Sequence, residues 1–392
     1  MIIGIFTDTY LPDLNGVATA TKTLRDVLVS KGHRVIIITT GLKGQKKFSY
    51  ENDVMRVPGK AIKSLYDYRM SFIFNSKAYK ILKKIPFDVF HIQQEFPISI
   101  FGRIIAKKLS IPIVYTFHTS YENYSAYISK GKRQAAVAKK LIVSLIKRIV
   151  QMKGEVITPS FKTRKLLLSY GVSKYINVVP NAIDLSQYNQ EKDSEREMWF
   201  RKANDIVNKK IVIYLGRLAA EKNVDELING FNRYKIRYQD TDTVFLIVGD
   251  GPAKESLMKE AGKLPFANDI RFLGKVPHDD TAFYYSIADV FLSASLSETQ
   301  GLTYSEAIES NTIVLAKYDF NLDLLIQDNV TGFYYDDIDS LVDRINDVLT
   351  LSPDEKKRIC YNAKRRNAYL FSKDTYYERI IHVYKKAIRQ HF

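Results

Sequence analysis

Cysteine is nearly absent from this sequence. Cys360 is the only one, so neither an intrachain disulfide nor a cysteine-built metal site can form, and a reducing cytosol suits the chain. Histidine is scarce as well: the six present form no helix-spaced metal-gripping pair, and no metal is expected. Nowhere do roughly 18 apolar residues run uninterrupted, which excludes an ordinary membrane-crossing helix. The opening residues, Met1-Ile-Ile-Gly-Ile-Phe-Thr-Asp8, lack the basic start of a signal peptide and meet an aspartate early. No low-complexity tract occurs, and no nucleic-acid-binding motif is recognisable. These absences leave a chain expected to be soluble or to lie on a surface.

What is present fits two domains. The 392 residues exceed one ordinary core of about 100–200 residues, and 46% apolar content is that of a globular protein. A net charge of +16 implies attraction to something anionic: nucleic acid, a phosphorylated substrate or an acidic membrane. Charge alone does not choose among them.

Short apolar runs recur. Ile2–Phe6 reads as a strand, Val17–Lys31 as a helix and Arg34–Thr40 as the next strand, with further runs at Val89–Ile92, Ile113–Phe117, Glu155–Thr158 and Asn177–Val179. A second series begins at Ile211–Leu215 and continues through Val244–Val248, Ile270–Leu273, Val290–Ser293 and Thr312–Leu315. Strands alternating with helices predict an α/β protein with two Rossmann-like, doubly wound parallel sheets and a cleft between them. The expected division is 1–180 and 181–375, with 376–392 a final helix packing back toward the first domain.

The stretch Ser297-Glu-Thr-Gln-Gly-Leu-Thr-Tyr-Ser-Glu-Ala-Ile-Glu-Ser310 sets Glu298 and Glu306 eight residues apart around Gly301. Thr303-Tyr-Ser-Glu306 matches a capping box, which would leave Glu306 only a helix start to serve. With Glu298 and Gly301 in a loop, both carboxylates could instead line one ligand, Gly301, Leu302 and Thr303 letting it approach a helix N-terminus. Arg217 and Lys222 follow the first strand of the second series, where they could grip phosphate or merely form a solvated basic loop. Gly249 and Gly251 break the next strand and permit a nucleotide to lie against backbone, and Asn15-Gly16 repeats the idea in the first half. His118, at a strand's carboxyl end, could hydrogen-bond a substrate hydroxyl or be a satisfied loop histidine. Asp240-Thr-Asp242 and Asp337-Ile-Asp339 read as solvated turns.

The segment Gly131–Lys153 carries seven Lys or Arg and no acid. Leu141, Leu145, Ile149 and Met152 line one helical face, so the segment suits either an anionic membrane interface or a domain helix with a wet basic side. Ala61–Lys84, with Lys77, Lys80, Lys83 and Lys84, is a second basic segment in the same half.

Together these motifs resemble the retaining nucleotide-sugar glycosyltransferases of family 4, which have the GT-B fold. The resemblance rests on Glu298 and Glu306, Arg217 and Lys222, the strand and glycine turn Phe245–Pro252, and Asn181-Ala-Ile-Asp184. Thr7-Asp-Thr-Tyr-Leu-Pro12, Gly16-Val-Ala-Thr19 and Tyr115-Thr-Phe-His-Thr-Ser120 are similar to bacterial enzymes that glucosylate diacylglycerol or a glycosyldiacylglycerol. The resemblance implies that Arg217 and Lys222 bind the leaving diphosphate, Glu306 the ribose and Glu298 the transferred sugar. It implies too that Gly16 leaves room beside the phosphates and that His118 contacts the sugar near the reacting carbon. The implied donor is a UDP-sugar, UDP-glucose, with no cofactor required; the implied acceptor is a membrane lipid, reached peripherally from the cytoplasmic face. Two departures stand out: Asn311 replaces a glycine, as a left-handed helix cap allows, and Lys317–Asp323 lacks the usual glycine pair and Pro-Glu. Other expectations compatible with the motifs are transfer to a protein or polysaccharide, and a non-catalytic partner of another glycosyltransferase.

Overall fold

The computed structural model describes residues 1–13, 15–62, 68–118, 132–189, 193–296 and 300–391; for 61, 62, 68 and 132–139 only the backbone is described. Glu298 and Gly131, both singled out above, lie outside the described residues. Met1–Ala182 with Lys373–Phe392 forms one compact unit and Ile183–Ser372 a second.

In the first unit the apolar runs become β1 (Ile2–Phe6), β2 (Arg34–Thr40), β3 (Ser49–Glu51) and β4 (Val54–Val57), then the small hairpin of β5 (Gly59–Ile62) and β6 (Tyr68–Ser71). After these come β7 (Val89–Ile92), β8 (Ile113–Thr116), β9 (Glu155–Thr158) and β10 (Ile176–Val178). Eight of them join in the order β10-β9-β8-β7-β1-β2-β4-β3, all parallel except β3 against β4. Alternation assigns the side chains: Ile3 and Ile5 face one side, Phe6 and its neighbours the other.

The Ile3/Ile5 side is covered by helices Gly16–Ser30 and Lys373–His391, through Leu24, Val27 and Leu28 and through Tyr376, Ile380 and Tyr384. The opposite side is covered by helices Ser76–Leu82, Pro97–Leu109, Lys132–Val150 and Phe161–Ser169, which share a core with Phe6, Ile36 and Phe90. Each large apolar side chain so buried contributes roughly 1.5–3 kcal/mol. Polar bonds also tie the last helix into this unit. His91, wholly buried on β7, has Nδ1 at 2.7 Å from the Tyr384 hydroxyl and Nε2 at 2.7 Å from Thr116 Oγ1. Lys386 reaches Glu155 at 2.8 Å.

Helix Lys132–Val150 meets the sheet with a stripe that only partly overlaps the Leu141, Leu145, Ile149 and Met152 stripe of its sequence. Ile146 and Val150 are buried and Ile142, Val143 and Ile149 pack beside them, whereas Leu141 is 67% and Leu145 57% exposed. The helix carries two overlapping apolar stripes, and spacing alone does not say which one meets the sheet.

The second unit holds β11 (Lys210–Leu215), β12 (Thr243–Val248), β13 (Ile270–Gly274), β14 (Val290–Ser293), β15 (Ile313–Lys317) and β16 (Phe333–Tyr335). They form one parallel sheet in the order β13-β12-β11-β14-β15-β16. Asp240 is not the solvated turn expected. It accepts hydrogen bonds from the Tyr234 hydroxyl, Thr243 N and Thr243 Oγ1, and pairs with the fully buried Lys235, which also meets Asp269 at 2.9 Å. A buried ammonium needs such partners, and only the folded helix Val224–Tyr238 brings Lys235 to the turn. Asp337, by contrast, caps helix Ile338–Leu349 in a capping box with Ser340.

Candidate functional site

In the second sheet the strand order reverses between β11 and β14, and loops leaving the carboxyl ends of such neighbours diverge into a crevice. Arg217 and Lys222 leave β11; Ala294–Leu296 leave β14. Two bonds draw these segments together: Lys222 Nζ lies 3.4 Å from Ser295 Oγ, and Asn223 Nδ2 donates to Ala294 O at 3.2 Å. Asn223 takes a left-handed φ of 48° to start the following helix. Arg217 is exposed, while its carbonyl accepts the Tyr214 hydroxyl at 2.9 Å and so fixes the loop.

Gly249 and Gly251 explain how that loop is held. Their φ values are 145° and 158°, and a Cβ would lie 1.8 Å from Gly216 O and 2.2 Å from Leu218 O. Gly216 N donates to Val248 O, Leu218 N to Asp250 O and Ala253 N to Leu218 O, each at 3.0 Å. The bare side of each glycine is therefore filled by the backbone on either side of Arg217.

Gly301, at φ 73°, is the residue from which helix Leu302–Glu309 starts, and no side chain caps its first turn. The expected capping box is absent: the helix begins a residue before Thr303, so Thr303 and Glu306 are both inside it. A glycine start brings no side chain of its own to this end, and the helix dipole favours an anion there. Leu302 is exposed and Thr303 half-buried. Glu306 instead accepts the Tyr285 hydroxyl at 3.3 Å. Burial holds its pKa above the ordinary carboxylate range, against the opposing effect of hydrogen bonds from Tyr188 and Tyr285. Tyr188 is itself fixed by Thr281 Oγ1 at 3.0 Å. These two tyrosines escaped the sequence reading because they come from separate segments; the only signal was a run of aromatics, Phe283-Tyr-Tyr285, before β14.

The atypical segment Lys317–Asp323 is well anchored. Lys317 Nζ meets Glu226 Oε2 at 2.7 Å and Oε1 at 2.9 Å, Asp319 accepts Asn321 N at 3.0 Å, and Arg366 donates to Asp323 O at 2.9 Å. Asn311 adopts the left-handed conformation expected of it, φ 61°.

The first unit has its own reversal, between β1 and β7. Beyond β1, Asn15 Oδ1 caps helix Gly16–Ser30 through Val17 N and Ala18 N, and a Cβ on Gly16 would meet nothing within 4 Å. Beyond β8, His118 Nε2 lies 2.5 Å from Gln93 Oε1, and burial pushes its pKa down to about 4. A neutral imidazole donating Nε2–H to Gln93 leaves Nδ1 as an acceptor. Asp8, another residue whose role the sequence did not disclose, accepts Ile98 N at 3.0 Å and Ser99 Oγ at 3.2 Å, capping a helix 90 residues away in the chain. Burial raises its pKa to about 7 despite those bonds.

Arg217, Lys222, Gly249, Gly251, Gly301, Leu302, Thr303 and Glu306 thus belong to the carboxyl-end loops and following helix of the second unit. Gly16 and His118 occupy the corresponding end of the first. Comparison with known proteins gives this arrangement a family. The description "Glycosyltransferase Family 4" matches residues 14–187, and "Glycosyl transferases group 1" matches residues 195–366. Over 391 residues the chain is 34% identical to an alpha-monoglucosyldiacylglycerol synthase of Streptococcus pneumoniae, spanning 99% of this chain and 86% of that protein. The chain belongs to the family 4 glycosyltransferases.

A second relative of this glycosyltransferase, an alpha-monoglucosyldiacylglycerol synthase of Acholeplasma laidlawii, is 34% identical across 87% of the chain and 86% of that protein. Among solved structures, Anabaena Alr3699/HepE in complex with UDP superposes with a TM-score of 0.71 at 18% identity, covering 98% of this chain and all of that one. Sucrose-phosphate synthase from Thermosynechococcus elongatus gives 0.67 at 17% identity, with 99% of each chain covered. The fold of the glycosyltransferase is GT-B. In chemical terms, its second unit offers two cations and a glycine-led helix start at one switch point, a set suited to a diphosphate.

Proposed function

We propose that this glycosyltransferase moves a hexose, glucose from UDP-glucose, onto a membrane lipid such as diacylglycerol or monoglucosyldiacylglycerol, with retention at the anomeric carbon. The observation that carries the reading is the convergence of Lys222 and the Ser295 segment beside the exposed Arg217. Both cations then stabilise the charge that develops on the leaving phosphate, without a metal. As the sugar C1–O bond to the diphosphate breaks, the acceptor oxygen bonds C1 on the same face and passes its proton to a departing phosphate oxygen. Glu306, steadied by Tyr188 and Tyr285, accepts the ribose hydroxyls; Glu298 holds the transferred hexose. Gly16 leaves space for the phosphates, and His118 accepts a sugar hydroxyl. The lipid part of the reading draws on the names of the two 34%-identical relatives.

In this reading the enzyme is peripheral on the inner face of the cell membrane. Helix Lys132–Val150 exposes Leu141 and Leu145 beside Lys140 and Arg148, an edge suited to an anionic headgroup layer. No described helix is long and apolar enough to cross a bilayer. Incubation with UDP-sugars and diacylglycerol-containing vesicles should yield a glucosylated lipid from UDP-glucose. Failure to form any glycolipid, with transfer to a soluble acceptor instead, would discard the lipid assignment.

A further inference from the structure

Two histidines of the first unit, close enough to sense each other's charge, are held in opposite ways. His91 has both ring nitrogens closed, one by Tyr384 and one by Thr116. His118 has only one closed: Nε2 meets Gln93 Oε1 at 2.5 Å, and among the described residues nothing meets Nδ1. What Nδ1 can offer a substrate then depends on Gln93. That residue directly follows β7, is 2% exposed, and donates its N–H to Phe6 O at 2.9 Å. Its neighbour Gln94 ties down the loop after β1 by accepting Asp8 N at 2.8 Å and Thr9 N at 3.2 Å. Consecutive glutamines thus hold the carboxyl ends of β1, β7 and β8 together.

An amide oxygen accepts a hydrogen bond without carrying a charge, and that combination does two things to an imidazole. It keeps the proton on Nε2, so Nδ1 presents a lone pair. It also supplies no anion to stabilise imidazolium, so burial acts unopposed and the ring stays neutral. A glutamate in the same place would do the first and undo the second. The ionisable groups nearby do not take over that part. His91 is itself held neutral by burial, Glu95 accepts the Tyr115 hydroxyl, and Asp8 is occupied by Ile98 N and Ser99 Oγ.

We propose that Gln93 is a positioning residue for sugar transfer: it fixes the Nε2–H tautomer of His118, so that Nδ1 takes a hydrogen from a sugar hydroxyl and repels a carboxylate. This rests on the reading that His118 meets the transferred sugar, and adds the group that decides what His118 can do there. In the full-length protein labelled with 15N in its histidine rings, without substrate, the signals lost in His118→Gln should report Nε2 protonated and Nδ1 bare. Gln93→Met keeps the side chain's length and removes the acceptor. Its His118 should lose that single tautomer, and kcat with UDP-glucose and diacylglycerol-containing vesicles should fall about tenfold, the scale of one misplaced hydrogen bond. Gln93→Glu keeps the shape and adds a charge. An anion beside Nε2 should raise the His118 pKa from about 4 by roughly 1–3 units. Imidazolium has no lone pair to offer, so the ratio of this variant's kcat to the parent's should fall severalfold between neutral pH and about pH 5. Groups common to both proteins, Asp8 and Glu306 among them, cancel in that ratio. A parent spectrum with Nδ1 protonated, or a Gln93→Glu ratio that is flat with pH, would overturn the proposal. So would a loss of kcat in Gln93→Met with the Nε2–H tautomer intact, because Gln93 would then act by packing alone. The spectrum needs no turnover: a protein with the fixed tautomer that glycosylates no lipid refutes the proposed function alone, and one that glycosylates lipid with Nδ1 protonated refutes this inference alone.

Discussion

Glu306 shows how much of this site depends on single groups in unusual surroundings. Its carboxyl is largely buried against Tyr188 and Tyr285, and that burial raises its pKa. A raised pKa means that protonation begins at a higher pH than for an ordinary carboxylate, and a protonated carboxyl is a poorer acceptor for ribose hydroxyls. The KM for the donor should therefore climb as pH falls, starting above the usual carboxylate range. Glu306→Gln should raise KM about tenfold at neutral pH, on the scale of one lost charge-assisted hydrogen bond, and abolish the climb. A KM profile for both proteins between mildly acidic and neutral pH checks this. His118 should add no inflection near neutrality, because its imidazole takes a proton only at about pH 4.

Among the elements, the glycine turns separate packing from function. At Gly249 an added Cβ collides with Gly216 O, and φ is in a region that side chains rarely adopt. Gly249→Ala should lower stability by at least about 2 kcal/mol in urea unfolding and displace the Arg217 loop. Gly16→Ala adds its methyl where nothing lies within 4 Å, so stability should stay within about 0.5 kcal/mol while transfer falls if phosphates pass there. The strands of the two series were readable because most are short apolar runs buried on both sides, and their alternation with helices announced a parallel sheet; β3 to β6 and β16, shorter and more polar or lying at an edge, were not read. Features that rest on distant partners were hidden. The capping box at Thr303 failed because Gly301, with a left-handed φ beside Tyr304 and Leu322, starts the helix early. The Asp8 cap, the Lys235–Asp240 pair and the inward face of helix Lys132–Val150 are likewise decided by what the fold brings alongside. Charge and spacing at Arg217 and Lys222 were local, and so were legible.

At the scale of the molecule, acid should act through the contact between β7 and the last helix. Unfolded His91 would take a proton near pH 6.5, but burial lowers its folded pKa to about 3. Between those values the unfolded chain binds more protons, so the stability His91 supplies is complete above pH 6.5 and declines as pH falls. From 6.5 to 5 the loss is about 2 kcal/mol for this one group. His118 adds in the same direction; Asp8, whose pKa is raised, opposes it as pH drops through about 7. His91→Gln should be less stable at neutral pH yet show a shallower decline on acidification, measured as urea midpoints at several pH values. The net charge of +16 grows on acidification as well, but equally in parent and variant, so their difference isolates the histidine.

The placement of helix Lys373–His391 also bears on the order of events during synthesis. It covers the β7–β8 part of the first sheet, where Val89 and Val114 lie, yet a ribosome makes it only after every residue of the second unit. Nascent chains therefore hold part of that apolar sheet face, beyond the reach of helix Gly16–Ser30, uncovered for the whole time the second unit is being made. Chaperone attachment to that face should end when Tyr376, Ile380 and Tyr384 emerge.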